Sequence, residues 1–303
     1  MDSTGANLAQ VNQMEGQILV SHNPLPVFEE WLATYHRFGK DFRADAGFIN
    51  FSNWQRGSIS GQHSWYAEKP DSWWKQVDLR AAWLNSQELD GNDIDQISEL
   101  NFQVEALYES AFGLDLIKNQ QTYINLSQPL AQTEFQLDNQ LLWAEMRPIA
   151  DMGISFEYYW GDDIDYERSE AAKVKTWLSD LDYQLSDRLN TQLEYIDETL
   201  EGRVAPIYQI QLTNLRLAYQ MNDKSNLRLT LQGQRFNDYQ QLNPPKNLAS
   251  QLLYSYKINP FTLIYLGYSD QYVNQLDTNR MTRSKLKRTD KTLFMKFSYA
   301  WQA

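Results

Sequence analysis

Residues 291–301 read KTLFMKFSYAW. Every second residue (Leu293, Met295, Phe297, Tyr299, Trp301) is large and apolar or aromatic, and most of the residues between are small or polar. An extended chain places alternate side chains on opposite faces, so this segment presents one greasy stripe and one mainly polar one. The whole chain does not look greasy. Its net charge is -12 and its mean hydropathy is -0.60 over 303 residues. No run approaches the ~20 apolar residues of a membrane helix. A strand that meets lipid on one side needs only alternation over ~10 residues, which leaves mean hydropathy low.

The pattern recurs along the chain. Leu100, Phe102, Val104, Ala106 and Tyr108 alternate with Glu99, Asn101, Gln103, Glu105 and Glu109. Leu227, Leu229 and Leu231 alternate with Asn226, Arg228, Thr230 and Gln232. Phe135, Leu137, Leu141 and Trp143 alternate with Glu134, Gln136, Asp138 and Gln140. Val77, Leu79, Ala81 and Trp83 repeat the stripe, as do Ile154, Phe156, Tyr158 and Trp160. Period two on this scale is a strand signal, and no segment shows a helical period. A soluble β-sandwich also alternates. Two features favour a membrane wall instead. The polar faces are long and rich in Gln, Asn, Glu and Asp, and Trp or Tyr stands at many strand ends, as an aromatic girdle requires.

Fifteen strands are expected: 7–21, 27–38, 53–67, 74–87, 97–111, 115–126, 131–144, 149–160, 174–185, 189–199, 207–221, 225–234, 248–257, 261–271 and 289–301. Tight turns at 22–26, 69–73, 113–114, 146–148, 186–188, 222–224 and 258–260 carry Pro, Gly, Asn or Asp. They alternate with connections at 39–52, 88–96, 127–130, 161–173, 200–206, 235–247 and 272–288, most of them longer. Outer-membrane barrels have short periplasmic turns and long extracellular loops, so the longer class should face outward. The expected fold is all-β: an antiparallel up-and-down transmembrane β-barrel in the bacterial outer membrane. The last stripe, Leu293, Met295, Phe297, Tyr299 and Trp301, then resembles the C-terminal targeting strand read by the barrel-assembly machinery, with Gln302 and Ala303 as a small departure.

An odd strand number is unusual for a bacterial single-chain barrel. The opening MDSTGANLAQ has neither a basic nor an apolar signal region. Both suggest that residues 1–303 are the C-terminal part of one barrel domain with sixteen or more strands when intact. GKDFRADAGFI (39–49) and the segment from YKINPFTLIYLGYSDQY (256–272) to RTDKTLFMKFSYAWQ (288–302) resemble a family of bacterial outer-membrane proteins. Its members carry an N-terminal domain similar to family-9 carbohydrate-binding modules, ahead of a barrel of unknown function (domain of unknown function 5916). The resemblance implies a missing carbohydrate-binding-like domain and signal peptide upstream. It gives architecture and a link to glycan uptake, not a chemistry.

Candidate chemistry follows from charge. Glu99, Glu105, Glu109, Glu134, Asp138, Glu157, Asp180, Asp182 and Glu194 should line an acidic lumen wall, opposed by Arg228, Lys257 and Lys296. Such walls set a field across a pore and sort solutes by charge. The plainer reading is a polar interior of salt bridges and water. Asp41, Arg43 and Asp45 share one face of an extended chain, and an Arg between carboxylates makes charge-assisted pairs in a loop network. Asp162, Asp163 and Asp165 form an oxygen-rich outer loop that could hold Ca²⁺, although EF-hand spacing is absent; a solvated acidic loop is the plainer reading. Arg280, Arg283, Lys285, Lys287 and Arg288 form an outer basic loop that could grip lipopolysaccharide phosphates; a merely solvated basic loop is the equal alternative. Nucleic acid is disfavoured by the acidity of the chain.

No catalytic residue, cofactor site or metal-ligand spacing stands out. Cysteine is absent, which excludes a disulfide framework. His63 lies near Ser58, Ser60 and Ser64, but no nucleophile-elbow pattern accompanies them. Three functions follow: passage or reception of a solute such as a glycan or its fragments, a structural barrel serving a missing binding domain, and, with least support, an outer-membrane hydrolase.

Overall fold

The computed structural model of the protein describes residues 13–22, 27–40, 42, 52–124, 132–239, 246–259, 261–274 and 285–299. All regular structure in them is β. The strands are β1 (Gln13–His22), β2 (Val27–Phe38), β3 (Trp54–Tyr66), β4 (Trp74–Glu88), β5 (Asp93–Ala106), β6 (Ser110–Ile124), β7 (Gln132–Ile149) and β8 (Met152–Asp165). They continue as β9 (Glu170–Ser186), β10 (Leu189–Glu201), β11 (Pro206–Asn222), β12 (Ser225–Asp238), β13 (Lys246–Asn259), β14 (Thr262–Asn274) and β15 (Leu286–Tyr299). Neighbours in the chain are neighbours in the fifteen-stranded sheet, so the topology is an antiparallel up-and-down meander. No described helix is long and apolar enough to cross a membrane, which says nothing about strands.

The strands gather into two compact units. One comprises Met1–Leu107, Ala111–Leu142 and Trp160–Ala171; the other comprises Tyr108–Ser110, Trp143–Tyr159 and Ala172–Ala303.

In the first unit the register sorts side chains by polarity. Phe102 of β5 lies opposite Leu79 of β4, and Leu100 lies opposite Ala81. Ala81 in turn lies opposite Gly61 of β3, and Gly61 opposite Trp31 of β2. Phe102 is 42% exposed and Trp31 56% exposed, although both are large and apolar. The opposite face carries Thr34, Arg56, Ser58, Ser86 and Asp95. There Thr34 and Ser58 share a 2.6 Å hydrogen bond, and Arg56 donates to Ser86 at 2.7 Å. Arg56 also lies 3.6 Å from Asp95. A conventional core is small by comparison: Phe135, Leu137 and Ile164 form one buried cluster of this unit.

The second unit repeats the arrangement. Leu193 of β10 sits between Leu181 and Leu215. Leu229 sits between Leu217 and Leu252, and Tyr268 between Leu252 and Leu293. Met295 and Leu293 of β15 are each 71% exposed. Exposed apolar surface on this scale is unfavourable in water, at about 25 cal/mol per Å², and is at home against lipid. Buried Ala172, Val174 and Leu200 cluster with Tyr159, Ile207 and Tyr208.

Two glycines are fixed by close approach. A Cβ on Gly61 would lie 2.6 Å from the Trp31 ring, and one on Gly267 would overlap the Phe294 ring. Each aromatic lies across its cross-strand glycine and covers backbone that the glycine leaves bare.

The structure moves several expected boundaries. The turn expected at 113–114 lies at 107–109, and Gly113 and Leu114 are inside β6. Tyr108 (φ 60°) and Glu109 (φ 47°) both adopt the left-handed conformation that a tight hairpin demands. The turn expected at 146–148 lies at 150–151, because β7 continues through Pro148 to Ile149. A proline at a strand end forfeits little ladder. The long connections expected at 88–96 and 161–173 shrink to turns at 89–92 and 166–169.

Placing Arg at Phe102 should cost about 2–4 kcal/mol if that position sits near a bilayer midplane. Arg at Gln103, on the opposite face, should change stability by less than ~1 kcal/mol. Urea unfolding of the two variants from lipid vesicles checks the contrast; equal effects would contradict the assignment of faces.

Candidate functional site: an acidic polar face

The polar face of β9–β11 concentrates charge. β9 contributes Asp180 and Asp182, β10 Gln192 and Glu194, and β11 Asn214 and Arg216. The register sets Glu194 between Asp180 and Asn214, and Gln192 between Asp182 and Arg216. These side chains line a recess of about 300 Å³. A second recess, of about 430 Å³, shares Asp180 and Asp182 and adds Glu109, Glu145, Arg147 and Ser155.

The carboxylates differ in how they are satisfied. Asp182 accepts from Asn190 at 3.1 Å and from Gln192 at 3.0 Å. Asp180 accepts one long hydrogen bond from Ser155, at 3.4 Å, and Glu194 one from Asn214, also at 3.4 Å. Arg216 donates to Gln192, at 3.4 Å. Asp180 and Glu194 are therefore direct cross-strand neighbours of like charge, an arrangement that costs stability in a sheet. Opposed carboxylates with modest hydrogen bonding attract cations from an adjoining aqueous space.

Other expected wall residues are placed as follows. Glu99 and Glu105 lie on the polar face of β5, opposite Ala82 and Gln76. Arg228, Lys257 and Lys296 lie on the polar faces of β12, β13 and β15, opposite Leu253, Leu263 and Tyr265. Glu109 sits in the 107–109 turn, 3.6 Å from Arg147, and lines the second recess with Asp180 and Asp182. The expectation for Asp138 needs correction: Asp138 is not on the polar wall. It lies 3.8 Å from Lys118 and lines a recess with Gln96, Ser98, Gln120 and Gln136. Gln96 and Ser98 alternate in phase with exposed Leu100 and Phe102, so this recess opens on the apolar face. The cause is the phase of β7. Phe135 and Leu137 are buried, while Leu142 and Met146 are exposed, so the apolar exposed positions are the even ones.

Asp162, Asp163 and Asp165 belong to β8, not to a loop. Asp162 accepts from the Asp138 amide at 3.0 Å, and Asp163 from the Ile164 amide at 2.7 Å. Buried Asp165 caps the following turn. It accepts from the amides of Glu167 and Arg168 at 3.1 and 3.2 Å and from the Arg168 guanidinium at 2.6 Å. Hydrogen bonding and attraction from Asp165 raise the Arg168 pKa above its ordinary value. These carboxylates are engaged by protein donors, and no group of three or more His, Asp or Glu suited to a metal occurs among the described residues.

Lys287 and Arg288 lie in β15 instead of a loop, and Lys285 immediately precedes it. Asp41, Arg43, Asp45, Arg280, Arg283 and Trp301 lie outside the described residues. His63 sits on the apolar face, 2.9 Å from Glu29 and with its ring 4.2 Å from that of Trp65. Ser58, Ser60 and Ser64 alternate onto the other face, so the serine–histidine arrangement considered from sequence is not formed. The sequence reading placed both Asp180 and Glu194 among the wall charges, and the register sets them directly opposite each other.

Comparison with known proteins adds little to this geometry. No family model matches the chain, so the resemblance to the carbohydrate-binding-module-bearing family is not supported by that comparison. No curated protein matches. Among solved structures, the siderophore receptor PirA from Acinetobacter baumannii aligns with 95% of this chain and 56% of its own, at 8% identity and a TM-score of 0.46. The ferric enterobactin receptor PfeA from Pseudomonas aeruginosa aligns with 88% of this chain and 52% of its own, at 10% identity and a TM-score of 0.48. OmpT of Vibrio cholerae aligns with 93% of this chain and 100% of its own, at 9% identity and a TM-score of 0.36. The chain spans about half the length of the two receptors.

Replacing Asp165 by Ala should destabilise the protein by about 1–3 kcal/mol, because the turn amides and Arg168 lose their acceptor. Millimolar Ca²⁺ should leave the thermal midpoint of the unsubstituted chain unchanged. Thermal melts of both proteins, with and without Ca²⁺, check this; a rise with Ca²⁺ that Asp165→Ala abolishes would restore the calcium reading.

Proposed function

We propose that this chain forms part of the wall of a bacterial outer-membrane β-barrel that passes or receives a solute and favours cations. One observation carries the reading. Strands β9 and β10 expose Trp177, Leu185 and Leu193 on one face and hold the opposed carboxylates Asp180 and Glu194 on the other. The first face suits lipid, where a meander of strands keeps its backbone groups paired. The second suits a hydrated lumen, where a like-charge pair is tolerable and useful. A glycan or its fragments as the solute rests only on the likeness of 39–49 and 256–302 to outer-membrane proteins with a carbohydrate-binding-module-like upstream domain. The lengths of the connections support an orientation in which the longer ones, such as 39–53 and 275–285, face outward.

Planar-bilayer recording tests the proposal. The intact barrel that contains residues 1–303 should conduct with a cation preference, and Asp180→Asn with Glu194→Gln should move its reversal potential toward that of a non-selective pore. Stability should change by ~1 kcal/mol or less per charge, since half-exposed surface charges contribute little. Absence of conductance before and after substitution would replace this reading with a structural barrel that serves a separate binding domain.

A further inference from the structure

The apolar face of β12–β15 changes chemistry along its length. Next to the turn that joins β13 to β14, the rows are Ile264 with Phe297, Leu266 with Met295, and Tyr268 with Leu293. The rows beyond are charged. Asp270 lies between Ser250 and Lys291, Tyr272 lies between Leu248 and Arg288, and Arg235 lies opposite Lys246. The shift occurs toward the end of the longer connections.

Arg288 reaches this face through an irregularity. The β14–β15 register pairs Gln271 with Asp290 but Tyr272 with Arg288, so Thr289 is an extra residue. Simple alternation would have put Arg288 on the opposite face from Lys291. The bulge re-aims it, as bulges do.

The Asp270 carboxylate braces the cluster. It accepts from Ser250 at 2.5 Å and from the Tyr268 and Tyr272 hydroxyls at 3.0 Å each. The Arg288 guanidinium lies 3.6 Å from it and also donates to the Tyr272 hydroxyl at 2.8 Å. Asp270 is buried, whereas the Arg288 side chain is 47% exposed. The carboxylate is thus occupied in orienting the arginine, and the guanidinium keeps an outward edge. Lys291 stands over the Tyr268 ring, 6.0 Å from its centre. Arg235 is exposed and oriented by Asn237 at 3.1 Å.

Basic groups therefore crown a belt of Leu, Met and Phe. An amphiphile fits such a surface, with its acyl chains along the belt and its phosphates at the cations. Arginine is well suited to a phosphate because its planar fork donates in pairs. Arg235 on β12 and Arg288 and Lys291 on β15 are separated by three strand spacings, roughly 14 Å. That span suits phosphates at two ends of one headgroup better than a single phosphate.

We propose that this face of β12–β15 binds the phosphorylated lipid A moiety of lipopolysaccharide, through Arg235, Lys246, Arg288 and Lys291. The site rests on the outer-membrane reading above. The chain, preceded by a cleavable secretion signal, expressed in a Gram-negative host and extracted from its outer membrane, should retain lipid A through detergent washing. Its retention should fall several-fold in Arg288→Gln/Lys291→Gln. Arg235→Gln/Lys246→Gln leaves the Asp270 contacts intact and keeps the test decisive if the first variant misfolds. With vesicles, binding should be strong to lipid A and several-fold weaker to dephosphorylated lipid A or to phosphatidylglycerol. A chain absent from the outer-membrane fraction overturns the outer-membrane reading and this site with it. A chain present there, with lipid A retention unchanged in the folded variants or with equal binding to phosphatidylglycerol, overturns this site alone.

Discussion

Everything in this fold depends on the antiparallel backbone ladder. Each strand pairs with the strand before and after it in the chain, so the N–H and C=O groups of interior strands are satisfied on both edges. That frees the side chains of one face from any duty to water. In an ordinary soluble sheet the apolar face would need a second layer. Here large residues such as Trp31, Phe102 and Leu293 remain exposed on that face. The ladder makes this tolerable in lipid, where an unpaired backbone group costs several kcal/mol and an exposed leucine costs nothing.

The ladder also decides what each charge does. Asp165 and Asp270 are buried, and both are surrounded by donors. The first closes a turn and the second braces Arg288, so both act structurally. Asp180 and Glu194 stand directly opposite each other with single long hydrogen bonds. A sheet optimised only for stability would not place two carboxylates in one cross-strand pair. That contrast separates a candidate functional pair from the general acidity of the chain.

Aromatic residues hold the sheet at places where charge does not. Trp31 lies over Gly61, and Phe294 lies over Gly267. In each case the ring supplies the packing surface that the glycine lacks. The Trp31 pair stands on the apolar face, while Phe294 stands on the same face as Lys296, so the device is indifferent to polarity. It depends only on a cross-strand register that a one-residue slip would destroy.

Much of the architecture was legible in sequence, because period two and turn residues are local signals. Alternation at 99–109 and 291–301, with tight turns between, determined an all-β meander and the strand number among the described residues. What the sequence could not decide was phase. Leu141 and Leu142 are adjacent, so either parity of β7 is locally acceptable, and packing of Phe135 and Leu137 against Ile164 chose the one that carries Asp138 to the apolar face. Tyr108 and Glu109 form a tight turn without the residues that usually announce one, because pairing of the flanking strands sets where the chain must reverse. The extra residue at Thr289 turns Arg288 toward Lys291, and only the fit of β15 against β14 puts it there. Periodicity is written in one strand at a time, whereas register belongs to a pair of strands, and so the meander could be read from the chain while the partners of Asp180 and Arg288 required the tertiary structure.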